Sequence, residues 1–150
     1  MPDPVKLSLC MIAKNEEKYL GRCLASVRGV VDEIILVDTG STDRTAEIAQ
    51  SFGARVGHHA WQDDFSEARN ASLELATGDW ILALDADEEL APASRERLRP
   101  VVEMTEAEGV LICLRSFFPP TALCQYMDVQ WVRLFRHRRD FFYLNLWHGG

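Results

Sequence analysis

The run Trp80-Ile81-Leu82-Ala83-Leu84 leads without interruption into Asp85-Ala86-Asp87-Glu88-Glu89, so a stretch with no charge ends in four acids within five positions. An apolar run this short, entered through Gly78-Asp79, reads as a strand of a parallel sheet covered on both faces. Such a strand requires crossover helices, and open α/β sheets place their ligands at its carboxyl end. Asp85 and Asp87 stand where strand gives way to loop, so both carboxylates can turn toward one point. That pair suits a hard divalent cation bound through oxygen, which in turn holds a diphosphate. Without a cation, a carboxylate about 4 Å from a phosphate oxygen repels it by roughly 4 kcal/mol at an effective dielectric near 20. Helix capping is the competing account of acids after a strand. It is the preferred one for Glu88 and Glu89, and it stays open for Asp85 and Asp87.

The chain of 150 residues is long enough for one domain with a real core, so a single unit over 1–150 is expected. A net charge of -7 and the lack of any Lys/Arg block argue against nucleic acid as a partner. Cys10, Cys23, Cys113 and Cys124 are widely spaced, without Cys-x-x-Cys. Two lie in apolar strand-like runs, so reduced, buried thiols in a cytosolic protein are expected. No apolar run reaches membrane-spanning length, and Met1-Pro2-Asp3-Pro4 lacks a signal-peptide pattern, which together make a soluble, cytoplasmic chain the expectation.

Leu7 to Ile12 reads as the first strand, and Ala13-Lys14-Asn15-Glu16 as the loop leaving it. Apolar positions at Tyr19/Leu20, Cys23/Leu24 and Val27 predict an amphipathic helix over 17–28. Glu33 to Asp38 is a second buried strand ending on an acid, which puts Asp38 on the same sheet edge as the Lys14–Glu16 loop. Ser41, Thr42 or Asp43 can cap the helix that follows. Ala54 to Val56 reads as a short third strand. His58, His59, Trp61, Asp63 and Asp64 form a loop in which the His pair is better read as solvated than as metal-binding, because adjacent extended residues point opposite ways. Phe65 to Ala76 is helical, with Ser66 as a possible cap and Ala68, Ala71 and Leu75 as a buried stripe. Arg69 either binds phosphate bidentately or pairs at the surface with Glu67 or Glu74. Ala91-Pro92 opens a helix that Pro100 should kink or end near Arg99. Gly109 to Arg115 reads as a strand, and Gln130 to Arg136 alternates as an antiparallel one. The residues from Phe141 to Trp147 are aromatic without a period.

Taken together, Lys14-Asn15-Glu16, the block Glu33-Ile-Ile-Leu-Val-Asp-Thr-Gly-Ser-Thr-Asp-Arg-Thr45, Ala68-Arg69-Asn70 and Gly78-Asp79-Trp80 running into Asp85-Ala86-Asp87-Glu88 resemble family-2 glycosyltransferases over residues 5–100. The chain looks most like bacterial members whose domain is followed by, or fused to, helical repeats. The resemblance implies the GT-A fold: a Rossmann-like α/β three-layer sandwich with a mostly parallel sheet and antiparallel strands near the carboxyl end. It implies sugar transfer, in the inverting sense, from a nucleotide sugar, UDP-linked, to a hydroxyl of a glycan, lipid or protein, with Mg2+ or Mn2+ as cofactor. By the same resemblance Ala13, Lys14, Asn15 and Glu16 line the nucleotide pocket. Asp38 binds base or ribose, Asp43 supports that loop, and Arg69 lies near the nucleotide. Asp85 and Ala86 lie along the nucleotide, and Asp85 and Asp87 are the Asp-x-Asp metal motif, with Asp87 the more direct ligand and the catalytic residue, and Asp85 nearer the ribose or a metal-bound water.

Arg133-Leu134-Phe135-Arg136 matches a family segment that precedes an aromatic-Glu-Gly stretch and then His-Glu. Here His148 matches the His, as a third metal ligand, without its acidic neighbour. The family's domain also runs past 150 residues, and no residue fills the general-base role. A non-catalytic or truncated nucleotide-sugar binding domain is therefore the second function class. A phosphatase or receiver domain fits poorly, because the first strand ends in Ala13-Lys14 where those carry acids. A dinucleotide-dependent dehydrogenase lacks its Gly-x-Gly-x-x-Gly.

Overall fold

The computed structural model describes residues 4–140, 142 and 143. In chain order the elements are β1 (Leu7–Ala13), α1 (Leu20–Val27), β2 (Glu33–Asp38), α2 (Thr45–Ser51), β3 (Arg55–His58), α3 (Phe65–Leu75), β4 (Trp80–Ala83), α4 (Pro92–Met104), β5 (Gly109–Phe117) and β6 (Tyr126–Arg136). They form one six-stranded sheet in the order β3-β2-β1-β4-β6-β5. β1, β2, β3 and β4 run parallel, and β6 is antiparallel to both β4 and β5.

Alternation along each strand sorts the side chains into two cores. Leu7, Leu9, Met11, Leu36, Trp80, Leu82 and Leu134 pack on one face against Leu20, Leu24 and Val27 of α1 and Leu98 and Val102 of α4. Cys10, Ile35, Ile81, Ala83 and Phe135 face the other way, against Leu73 of α3. This is the expected three-layer arrangement. Each large apolar side chain fully buried in these layers contributes roughly 1.5–3 kcal/mol. The turn into β4 depends on Gly78, whose N–H donates to Ser8 Oγ at 2.9 Å. A Cβ there would run into the Ser8 hydroxyl and backbone.

Several local expectations change. The first helix begins at Leu20 because the N–H groups of Tyr19 and Leu20 both bond to the Glu16 carbonyl in a tight turn. α3 is capped by Asp64, whose Oδ1 accepts from Ser66 N at 2.8 Å, instead of by Ser66. Its buried residues are Ala68, Ser72 and Leu73, whereas Ala71 and Leu75 are half-buried. α4 continues through Pro100 to Met104, since the exposed proline loses its bond to the preceding turn on the solvent side. Glu88 and Glu89 lie in a non-helical turn before α4, so neither is a first-turn residue. Cys10 and Cys23 are buried as expected, but Cys113 and Cys124 are exposed. Cys113 stands on the outer strand β5 opposite Gln130 of β6, which is exposed as well. No helix among the described residues is long and apolar enough to cross a membrane.

Candidate functional site

Strand order decides what meets at the carboxyl edge. From β1 the chain builds outward through β2 to β3, then returns to place β4 on the other side of β1. A crevice opens outside such a reversal. The register pairs Cys10 with Ala83, so β1 runs three residues beyond the end of β4, to Ala13, before its loop begins. A crevice of about 790 Å3 lies there, lined by Ile12, Ala13, Lys14, Glu16, Thr39, Trp61, Phe65, Arg69, Asp85, Ala86, Asp87 and Trp131. Seven of the residues singled out from the sequence thus share one cavity.

Asn15, Asp38 and Asp43 stand behind that lining and knit the loops after β1 and β2 together. Asp38 is buried, and its Oδ1 accepts from Gly40 N at 2.8 Å and Ser41 N at 2.7 Å. Asn15 adopts a left-handed backbone, φ 54°, which asparagine tolerates. Its Oδ1 accepts from Thr42 N at 2.8 Å, and its own N–H donates to Ser41 Oγ at 2.9 Å. Asp43 accepts from the Thr45 hydroxyl and N–H and from Glu17 N at 3.2 Å. The Thr45 hydroxyl is the main reason its carboxyl titrates below the usual range. Asp43 thus serves the start of α2 by bonding Thr45, although Ser41 and Thr42 face Asn15 instead.

The crevice wall carries the acids Glu16, Asp85 and Asp87 with the cations Lys14 and Arg69, and Arg133 reaches Asp85 from outside that lining. Burial, followed by the charges of Asp87, Asp43 and Asp85, raises the Glu16 carboxyl above its ordinary value. Arg69 Nη2 reaches Asp85 Oδ1 at 3.1 Å, so its partner is neither Glu67 nor Glu74. Arg133 on β6 approaches Asp85 Oδ2 at 3.8 Å and pairs with Glu88 at 3.0 and 3.3 Å. Glu88 Oε1 also accepts from Asp85 N at 2.7 Å, which closes the acidic turn on itself. Burial pushes the Glu88 carboxyl up, and the Asp85 N–H and Arg133 pull it back only in part.

The donor set can be tested against a divalent cation. Among the described residues no three His, Cys, Asp or Glu are grouped to hold a metal. A Mg2+-type ion needs only one or two carboxylates when diphosphate oxygens and water complete its shell. Asp87 is exposed on the crevice wall, and Asp85 lies in the same wall. Asp85 and Asp87 on one wall supply the two carboxylates that such an ion requires. His148 lies outside the described residues. His58 is exposed, and His59 sits 3.6 Å from Glu67, so the pair does not converge.

Sequence reasoning missed four contributors. Trp61 was expected in a solvated loop, yet it lines the crevice, its Nε1 donating to Asp63 at 2.9 Å and its ring meeting Phe65 edge-on at 4.6 Å. Phe65 was read only as the start of a helix. Trp131 and Arg133 lie in a segment read as an alternating strand, but the register passes from Leu134 opposite Val110 to Val132 opposite Leu111, and this irregularity at Arg133 breaks the alternation, so the sequence carried no signal for their places.

An α/β sheet whose strand order reverses between β1 and β4, with paired acids and an arginine on the crevice wall at that reversal, places the chain among open-sheet proteins that bind their ligands at a switch point. The sequence model of glycosyl transferase family 2 matches residues 8–149, and the chain belongs to that family. It is 45% identical over 143 residues to a TPR repeat-containing protein of Synechococcus elongatus, covering 95% of this chain and 34% of that protein. It is 33% identical over 136 residues to the SPbeta prophage-derived glycosyltransferase SunS of Bacillus subtilis, covering 89% of this chain and 32% of SunS. Glucosyl-3-phosphoglycerate synthase of Mycobacterium tuberculosis, crystallised with Mn2+, UDP and glucosyl-3-phosphoglycerate, superposes with a TM-score of 0.56 at 27% identity, over 68% of this chain and 41% of that one. The fold is therefore GT-A. The chain spans about a third of the length of these curated relatives.

Proposed function

We propose that this chain is the donor-binding part of a glycosyltransferase that moves a sugar from a nucleotide diphosphate sugar, UDP-linked, to an acceptor hydroxyl with inversion. The observation that carries this reading is the convergence of Asp85, Asp87 and Arg69 in the crevice between the ends of β1 and β4. The mycobacterial synthase, crystallised with UDP and Mn2+, supports the choice of base and metal.

In this reading the Ala13–Glu16 loop and Thr39 hold the nucleoside. Asp38 and Asp43 fix the loops that shape its pocket, and Asp38 turns its second carboxylate oxygen to base or ribose. Arg69 exchanges part of its pairing with Asp85 for a phosphate oxygen, for which its planar fork is suited. Asp87, Asp85 and, beyond the described residues, His148 would hold Mg2+ or Mn2+. When bound, the cation supplies Lewis-acid stabilisation to the departing nucleoside diphosphate. The Arg133–Glu88 pair keeps the Asp85–Glu88 turn from yielding when charge develops on that leaving group. The acceptor, a glycan, lipid or protein hydroxyl, enters from the open side.

Incubating the chain with nucleotide sugars and measuring nucleoside diphosphate release, with Mn2+ and with chelator, tests the proposal. Release that depends on metal supports it. Saturable binding without release under any acceptor would instead favour a binding domain.

A further inference from the structure

Two of the four tryptophans, Trp61 and Trp131, line the crevice that carries Asp85 and Asp87, and both leave much of the indole in solvent. Trp131 is the more open, 52% exposed, although it stands on a strand of the central sheet. An indole left half in water forgoes on the order of 1 kcal/mol or more of burial. Nothing in the packing of β6 against β4 or β5 requires a ring of that size at that position, where its register partner is Ile112.

Its place in the strand order is informative. Ala13 ends β1, Glu16 follows it and Thr39 follows β2, all on one side of β4, whereas Trp131 belongs to β6 on the other side. The acids lie between them, at the end of β4. A ligand lying along the crevice with its nucleoside toward β2 and its diphosphate at the acids therefore carries whatever follows the diphosphate toward β6.

We propose that Trp131 is the stacking platform for the pyranose ring of a bound nucleotide sugar; this rests on the donor-binding reading above. A pyranose presents one face of C–H groups, which complements the electron-rich face of an indole, while its hydroxyls project at the rim toward water and carboxylates. A nucleoside diphosphate without sugar offers no such face. Arg133, two residues along the same strand, is held by Glu88 at 3.0 Å, so β6 is fixed to the acidic turn and the ring keeps its distance from the diphosphate subsite.

The test compares ligands with and without sugar. Calorimetry in Mn2+ would give the affinities of UDP, UDP-glucose, GDP and GDP-mannose for the unaltered chain, Trp131→Ala and Trp131→Phe. Expected is a rise of about 3- to 10-fold in the ratio of nucleotide-sugar Kd to parent-diphosphate Kd for Trp131→Ala. Trp131→Phe should restore most of the original ratio. The parent-diphosphate affinity also reports whether each variant keeps a folded site. An unchanged ratio, or equal weakening of both ligands, overturns the platform while leaving donor binding intact. Failure of the unaltered chain to bind any of the four overturns the donor-binding reading and the platform with it.

Discussion

Arg69, in the second turn of α3, and Asp85, two residues past the end of β4, meet at 3.1 Å across the mouth of the crevice. Because α3 covers one face of the sheet and Asp85 leaves its edge, the pair marks where helix layer and strand layer come together on the ligand side. It also holds a cation against the acids of the crevice wall before any ligand arrives, which lowers the cost of assembling them.

Asp87 is the acid of the turn with an exposed place on the crevice wall. Replacing it by alanine should weaken metal-dependent nucleoside diphosphate binding by about tenfold or more, the loss of roughly 1.4 kcal/mol or more. Circular dichroism should be unchanged. Calorimetry with Mn2+ and with chelator reads the effect, and equal affinities under both conditions would remove the metal from the account.

Arg133 and Glu88 keep only 18% and 11% of their side chains in solvent. Removing one partner strands the other charge, so Arg133→Met should cost about 2 kcal/mol in urea unfolding. The Arg133→Met/Glu88→Gln double variant should lose less than the sum of the single losses. Strict additivity would mean that the two side chains do not couple.

Burial pushes the thiols of Cys10 and Cys23 up to about 12, with nearby acids adding to the shift, whereas Cys113 and Cys124 are exposed. A disulfide reagent at pH 8 should modify Cys113 and Cys124 rapidly, and the other two only after denaturant is added. Mass spectrometry of the labelled peptides identifies which thiols reacted.

Burial alone would raise the Glu33 carboxyl, but hydrogen bonds from Ser8 Oγ at 2.5 Å, Thr77 N at 2.8 Å and Thr77 Oγ1 outweigh it and bring it below its ordinary value. A lowered folded value means the carboxylate stabilises the fold fully above the ordinary value of 4.5 and loses that contribution as pH falls through the folded one. Between pH 6 and 3, Glu33→Gln should therefore show a shallower loss of stability than the unaltered chain. Parallel stability curves for the two proteins would contradict this assignment.

Much of the layered architecture was legible because its signals are local. β1, β2 and β4 are short apolar runs bounded by turns, and all three lie where the sequence placed them. α3 gave only a weak stripe, since its buried positions include Ser72, and its cap went to Asp64 because the side chain two residues ahead of Ser66 reached the free N–H first. Trp61 read as loop because nothing local indicates that a loop folds over a crevice.

Side-chain periodicity along the chain was sufficient to set the alternation of strands and helices and to put acids at the ends of β2 and β4, because burial on two faces leaves few other patterns. Pairing between distant strands decided the rest. Only the order β3-β2-β1-β4-β6-β5 brings the loop after β1, the acids after β4 and the exposed Trp131 of β6 to one edge. Only the packing of α3 on that sheet turns Arg69 toward Asp85, a partner 16 residues away, instead of toward the glutamates on its own helix.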